Sequence, residues 1–262
     1  MVFLKFRRNE KKSSVSDKDE RWDRIERKFF VSPDKIIYAR SLMTSICMPD
    51  KKYSRGTINS LYFDTPDLQE YQKSDDGDYK REKIRIRWYD NPSKDETVPV
   101  YLELKSKKGF ASKKKRRKFL VPAEQIYKYK TGGSILNRNV ILKTLAEFNY
   151  FPNGHILPVI MISYDRLRFT EIMTGTRMSF DWQIRSVPTY HIPGHSYANI
   201  MLQGAVIEIK GTIIEIPLSL RPLHHACIDW SRFSKYAGCI ESHMETNGSI
   251  GHTWPSGRTE SQ

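Results

Sequence analysis

The sequence predicts an α+β fold: an eight-stranded antiparallel β tunnel, closed as a barrel, with a charged interior and helices packed outside. Three observations predict it. Eight short segments alternate in polarity or are rich in β-branched residues, and turn residues bound them. Helical patterns lie between them, which gives α+β rather than all-β. The polar residues on the strands are mostly cationic, and a closed ring of strands leaves no exposed edge.

The elements follow in order. Residues 22–31 (WDRIERKFFV) alternate and read as the first strand. Pro33 suits the first turn of a helix over 34–46, with Ser32 as its cap. Residues 57–64 (TINSLYFD) form the next strand, and Thr65-Pro66 opens a second helix over 66–73 in the same way. Strands then follow at 79–88 (YKREKIRIRW), 98–106 (VPVYLELKS) and 113–121. Helical patterns occupy 122–130 and 138–149. Residues 158–169 (PVIMISYDRLRF), 176–185 (TRMSFDWQIR) and 204–210 (GAVIEIK) complete the eight strands, and a last helix reads at about 230–242.

Residues 1–20 are highly charged and 246–262 are rich in Gly, Ser, Thr and His, so both read as disordered segments. No linker divides the middle, and 21–245 reads as one domain. The 262 residues carry a formal net charge of +14. That favours a polyanionic partner: nucleic acid, an anionic membrane, or a nucleotide or polyphosphate. Cys47, Cys227 and Cys239 are scattered, as in a reducing compartment. No apolar run approaches the ~20 residues of a membrane span, and the first residues do not read as a signal peptide. The expected location is cytoplasmic.

Successive side chains of a strand point to opposite faces. In 79–88, Lys83, Arg85 and Arg87 share one face and Ile84, Ile86 and Trp88 the other. In 98–106, Tyr101, Glu103 and Lys105 oppose Val100, Leu102 and Leu104. Glu208 and Lys210 oppose Ile207 and Ile209, and Arg24, Glu26 and Lys28 oppose Ile25, Arg27 and Phe29. For any single strand, a half-buried sheet with its charges in water is the simpler account. Together the strands favour the inward face, because the charges are mainly cationic and the intervening helices need an apolar face to pack on. An interior of Lys and Arg is costly unless an anion compensates it. Arg contacts phosphate oxygens in pairs, Lys acts as a point charge, and a few Glu can hold a divalent cation.

RIERKF (24–29), SLYFDTPDLQEY (60–71), KIRIRWYD (83–90), YLELKSK (101–107), SYDRLRF (163–169), RMSFD (177–181), IEIK (207–210) and RFSKY (232–236) occur in that order. Together they resemble the catalytic domain of the vacuolar transporter chaperone (VTC) polyphosphate polymerases, a branch of the triphosphate tunnel metalloenzymes related to the CYTH proteins. The resemblance implies an eight-stranded tunnel that binds ATP and inorganic polyphosphate with Mn²⁺ or Mg²⁺. It implies a phosphotransferase that moves the terminal phosphate of ATP onto a growing chain.

By the same resemblance, Lys28, Arg85, Arg87, Lys105, Arg166, Arg177 and Lys210 are catalytic. Of Lys114 and Lys115, Lys115 is assigned the next basic position. Arg81, Arg232 and Lys235 join it as phosphate-binding residues. Glu208 matches the metal-binding Glu. Glu26 and Glu103 either supply further carboxylates to the metal or pair with neighbouring cations. The family's Glu-x-Glu-x-Lys opening strand is here Arg24-Ile25-Glu26-Arg27-Lys28, and loss of the first Glu suits the VTC branch better than a two-metal hydrolase. With no sensor domain or anchor in view, the chain looks like a stand-alone bacterial-type member. A membrane partner protein and the oligomeric state are left open.

The alternatives are a triphosphatase of the same fold and a non-catalytic polyanion-binding module. Nucleic acid is disfavoured, since no RNP, KH or zinc-finger pattern is present. The adjacent His224 and His225 read as a polar pair flanking a helix rather than a metal site. Lys113–Lys118 reads equally as a feed for polyphosphate or as a solvated hairpin. Tyr62, Phe63 and Trp88 read as core.

Overall fold

The computed structural model describes residues 24–93, 96–109, 111–128, 134–189, 198–211 and 216–245. The segments 1–20 and 246–262, expected to be disordered, lie outside the described residues. The strands are β1 (Arg24–Val31), β2 (Cys47–Pro49), β3 (Arg55–Asp64), β4 (Lys80–Tyr89), β5 (Thr97–Lys108), β6 (Ala111–Pro122), β7 (Leu157–Glu171), β8 (Arg177–Pro188), β9 (Ile200–Leu202), β10 (Ala205–Gly211) and β11 (Trp230–Ser231). The helices are α1 (Ile36–Ile46), α2 (Gln69–Asp75), α3 (Ala123–Ile126), α4 (Arg138–Glu147), α5 (Arg221–His225) and α6 (Lys235–Glu245).

All eight expected strands are present, and they form one antiparallel ring. Its order is β7-β3-β4-β5-β6-β1-β10-β8, and β8 returns to β7. β2 and β9 extend the sheet beside β7 and β8, and β11 pairs with β1. The first expected helix begins differently: Pro33–Lys35 is a 3-10 turn, and Ser32 stands before it without a side-chain capping bond. At α4, Asn137 caps by accepting from the Asn139 N–H.

Helices cover the apolar outer faces. Ile84, Ile86, Leu102 and Leu104 pack with Ile141 and Leu145 of α4 and with Ala123 and Ile126 of α3. Phe29, Phe180, Ile207 and Ile209 pack with Ala39 and Met43 of α1 and with Leu223 of α5.

One helix departs from the expected arrangement. Tyr62 stands opposite Arg85 and Ile160 opposite Tyr62, so Ile58, Ile160, Ile162 and Tyr164 lie on the same sheet face as the arginines. Tyr236, Cys239 and Ile240 of α6 pack against these residues and Val206. α6 therefore covers part of the inner face. The physical reason is compositional: Val159 to Ile162 is apolar on both faces, and a strand of that kind is buried on both sides.

Candidate functional site

The uncovered part of the inner face forms a cavity of about 680 Å³. Thirteen Lys and Arg side chains line it, against three carboxylates, Glu26, Asp78 and Glu208. The lining includes Lys28, Arg81, Arg85, Arg87, Lys105, Arg166, Lys210, Arg232 and Lys235 among the expected basic residues. Strand alternation places all of these there except Arg232 and Lys235, which come from the segment before α6 and from α6 itself. Lys83 stands opposite Lys105, Arg85 opposite Glu103, and Lys28 opposite Glu208.

Two carboxylates behind the lining hold the arginines in place. Glu103 is fully buried. It accepts from Arg85 Nε and Nη2 at 2.9 and 2.8 Å and from Lys114 Nζ at 2.8 Å, while Arg87 Nη1 lies at 3.8 Å. Burial works against its ionisation, but Arg85, Arg87 and Lys114 outweigh it and hold the carboxyl far below the usual range. Asp181 is also fully buried. It accepts from Arg166 Nε and Nη2 at 2.6 and 2.7 Å and pairs with Lys235 Nζ at 2.6 Å.

Three tyrosines separate the cations from the apolar part of the inner face. Tyr62 and Tyr236 stack with centroids 5.0 Å apart. Tyr62 Oη accepts from Arg85 at 3.0 Å, and Tyr164 Oη accepts from Arg87 at 3.4 Å. Tyr236 Oη donates to Asp64 at 2.5 Å. Lys235 lies 4.9 Å and Arg166 5.4 Å from the Tyr164 ring centre, within cation–π range. Burial opposes ionisation of Tyr164, yet Arg166 and Arg87 bring its pKa below the ordinary value.

Three lysines of the lining lose their charge more readily than an ordinary lysine. Burial, then Lys105, pushes Lys28 down to about 7. Burial, then Lys28 and Lys105, puts Lys83 well below the usual lysine range, and its amine donates to Ser234 Oγ at 2.6 Å. Lys114 falls to about 8, again through burial, with Glu103 opposing.

Glu208 and Glu26 face the cavity. Glu26 is paired with Lys105. Glu208 lies 3.3 Å from both Lys210 Nζ and Arg166 Nη2. Burial opposes ionisation of Glu208, but Lys210, Arg166, Lys28 and Lys105 keep it well below the usual carboxylate range. Glu26 stands opposite Lys210 and Glu208 opposite Lys28, so the two carboxylates are diagonal neighbours on one face. No group of three or more His, Cys, Asp or Glu that could hold a metal occurs among the described residues. Two carboxylates with substrate oxygens and water nevertheless suit Mg²⁺ or Mn²⁺, which bind through one or two carboxylates plus phosphates. The donor set fits such an ion at Glu26 and Glu208.

Three expected site residues fall elsewhere. Glu103 lies behind the cavity lining, fully buried, with its oxygens engaged by Arg85 and Lys114, which is the arrangement expected of a carboxylate paired with neighbouring cations. Lys115 points to the outer face and donates to the Phe148 carbonyl at 2.8 Å, while its neighbour Lys114 lines the cavity. Register explains the exchange, since Lys114 stands opposite Lys105 and Lys115 opposite Leu104. Arg177 is exposed at the start of β8 and lies outside the cavity lining. Phe63 and Trp88 are core, whereas Tyr62 reaches the cavity through its hydroxyl. His224 pairs with Asp229 at the surface.

Sequence reasoning did not assign Lys83, Lys107, Asp181, Tyr164, Ser234 or Tyr236 to the site. Lys83 and Lys107 share the parity of Arg85 and Lys105 and were findable by alternation. Asp181 was not, because its role depends on Arg166 of the neighbouring strand.

A VTC domain family model matches residues 23–244. No curated protein sequence matches the chain. Among solved structures, one from Bacillus halodurans, provisionally designated an adenylate cyclase, is similar at 16% identity and a TM-score of 0.48, over 80% of this chain and 94% of that one. A Vibrio parahaemolyticus structure of the same provisional designation gives 9% identity and a TM-score of 0.30, over 84% and 87%. The Schizosaccharomyces pombe Mediator head module gives 11% and 0.35, over 79% of this chain and 96% of that one.

Proposed function

The chain belongs to the VTC domain family, and from that premise we propose that it is a polyphosphate polymerase: a phosphotransferase that moves the terminal phosphate of ATP onto inorganic polyphosphate, acting as one unit over 21–245. The observation that carries this reading is the cavity, with thirteen cations facing three carboxylates. Such a lining is undercompensated by the protein alone, and a chain of phosphates supplies the missing charge. In this reading the ring of strands is a tunnel with a charged interior.

Each group has a role in the proposal. Arg85, Arg87 and Arg166, locked by Glu103 and Asp181, present fixed guanidinium groups to phosphate oxygens. Such preorganised donors cost no rearrangement as charge shifts in the transition state. Lys28, Lys105, Lys114, Lys210 and Lys235 neutralise the chain as point charges. Glu208, with Glu26 beside it, would hold the divalent ion. When bound, that ion supplies charge stabilisation to the transferring phosphoryl group. The acceptor is an already ionised phosphate, so no general base is required. That agrees with the absence of His from the cavity lining among the described residues.

The test is direct. Purified protein with ATP and Mn²⁺ should yield phosphate chains resolvable on a gel. Orthophosphate as the sole product would replace the polymerase with a triphosphatase. Binding of polyphosphate with no consumption of ATP would leave a polyanion-binding module.

A further inference from the structure

The outer face of β4, β5 and β6 carries a second group of cations that the phosphate cavity does not use. A cleft of about 170 Å³ lies there, lined by Lys80, Lys108, Lys113 and Lys115, with Glu82 as its single carboxylate. The turn after α4, at Phe148 to Tyr150, closes one side. Lys80 and Lys108 stand directly opposite each other across β4 and β5. On the inner face of the same strands, Arg81 opposes Lys107 and Lys83 opposes Lys105. Like charges directly opposite disfavour a sheet, and Glu82, 4.0 Å from Lys80, is the carboxylate of the cleft lining that offsets them.

The run Lys113 to Lys118 divides by neighbour. Lys114 is held by Glu103, Arg117 pairs with Glu147 of α4, and Arg116 lies 5.2 Å from the Tyr101 ring centre. Lys113 and Lys115 go to the outer cleft. The bond from Lys115 to the Phe148 carbonyl fixes its position without neutralising its charge. Lys113 lines both the inner cavity and the outer cleft, so it joins them at the β5–β6 hairpin.

We propose that this cleft is an external subsite for inorganic polyphosphate too long for the cavity, carrying the chain over the β5–β6 hairpin along Lys113, Lys108, Lys80 and Lys115. The proposal rests on the phosphate reading of the cavity. RNA fits less well, because the rings of the cleft lining, Phe148 and Tyr150, are partly buried against the core rather than standing free as a stacking surface.

The experiment compares binding of tripolyphosphate with binding of polyphosphate several tens of phosphates long, at several salt concentrations. It uses the full chain and the Lys80→Gln/Lys108→Gln/Lys115→Gln variant. A control variant, Lys35→Gln/Lys51→Gln/Lys52→Gln, removes the same charge elsewhere. The cleft variant should bind the long chain about tenfold or more weakly, with a log–log salt slope shallower by about two, at ~0.7 per lost contact on a single-stranded polyanion. Its tripolyphosphate affinity should stay within about twofold. Unchanged long-chain affinity, equal loss for both ligands, or equal loss in the control overturns the subsite and leaves the cavity reading intact. Equal loss of a single-stranded RNA of matched charge overturns its assignment to polyphosphate. Wild-type protein that binds neither phosphate ligand overturns the cavity reading, and the subsite falls with it. If the triple variant does not fold, Lys80→Gln/Lys108→Gln is read in its place.

Discussion

The inner face of the sheet has two halves built on the same strands. In one, Ile58, Ile160, Ile162 and Val206 lie under α6 and are dry. In the other, a few residues along, Arg85, Arg166, Glu208 and Lys210 line a polar cavity. Tyr62, Tyr164 and Tyr236 stand at the boundary, with rings toward the apolar half and hydroxyls bonded to Arg85, Arg87 and Asp64. The difference teaches that alternation identifies a face but not what fills it. One half is sealed by a helix of this chain, and the other lines an open cavity.

The largest expected effect lies in the polar half. Glu208→Gln should lower ATP turnover on the order of a thousandfold, through loss of the metal's charge stabilisation. Tripolyphosphate binding should persist, and turnover within tenfold of wild type would remove Glu208 from the metal site. Glu103→Gln breaks a buried cluster and should cost about 3–5 kcal/mol in denaturant unfolding. A cost under about 1 kcal/mol would mean that the arginines hold their places without it. In the apolar half, Ile240→Ala should cost about 2–5 kcal/mol while leaving turnover of the folded protein near wild type. Turnover lost in parallel with no loss of stability would contradict the division into halves.

The smallest expected effect is one of pH. Lys114 in the folded protein loses its proton near 8, and Lys83 also loses its proton well below the usual range. Both are charged below those values, where the proposed function has them hold phosphate. Tripolyphosphate affinity should therefore fall as pH rises through about 8, with a shallower fall in Lys83→Gln/Lys114→Gln. For stability the sign is opposite. Above about 8 and up to the unfolded lysine value, the unfolded chain holds the proton that the folded one lacks. The contribution of Lys114 to stability therefore rises with pH across that window. Titration calorimetry and melting curves across pH 7–10 test the two signs separately.

The eight strands were legible because the segments are alternating or rich in β-branched residues and bounded by turn residues. The cation-bearing face was legible for the same reason: Lys83, Arg85 and Arg87 alternate with Ile84, Ile86 and Trp88. Alternation fails where it has no contrast. In KKKRRK every residue is basic, so parity had no phase, and Lys115 took the place of Lys114. Alternation alone does not tell Glu103 from Glu208, although the ordered motifs assign Glu208 to a metal. Each alternates with aliphatic residues beside a lysine, and only the neighbouring strand decides: Arg85 stands opposite Glu103, and Lys28 opposite Glu208. The position of α6 was missed because every helix was read as outer cover, and only the stretch Val159 to Ile162, apolar on both faces, points to a helix on the inner face.

The ring is completed by pairing β1 with β10, which sets Lys28 opposite Glu208. Glu26 and Glu208 therefore meet only when nearly the whole chain is available, and α6, which supplies Lys235, comes later still. Contacts of such sequence separation slow folding toward the millisecond-to-second range, because loop closure is costly before it is rewarded. The freshly closed ring also confines cations that repel one another. A ligand that binds only this closed form adds about 2.7 kcal/mol when present at a hundred times its dissociation constant. If the proposed function holds, the polyanion is thereby a late folding partner, and the amount of this protein that persists should rise and fall with the amount of that ligand.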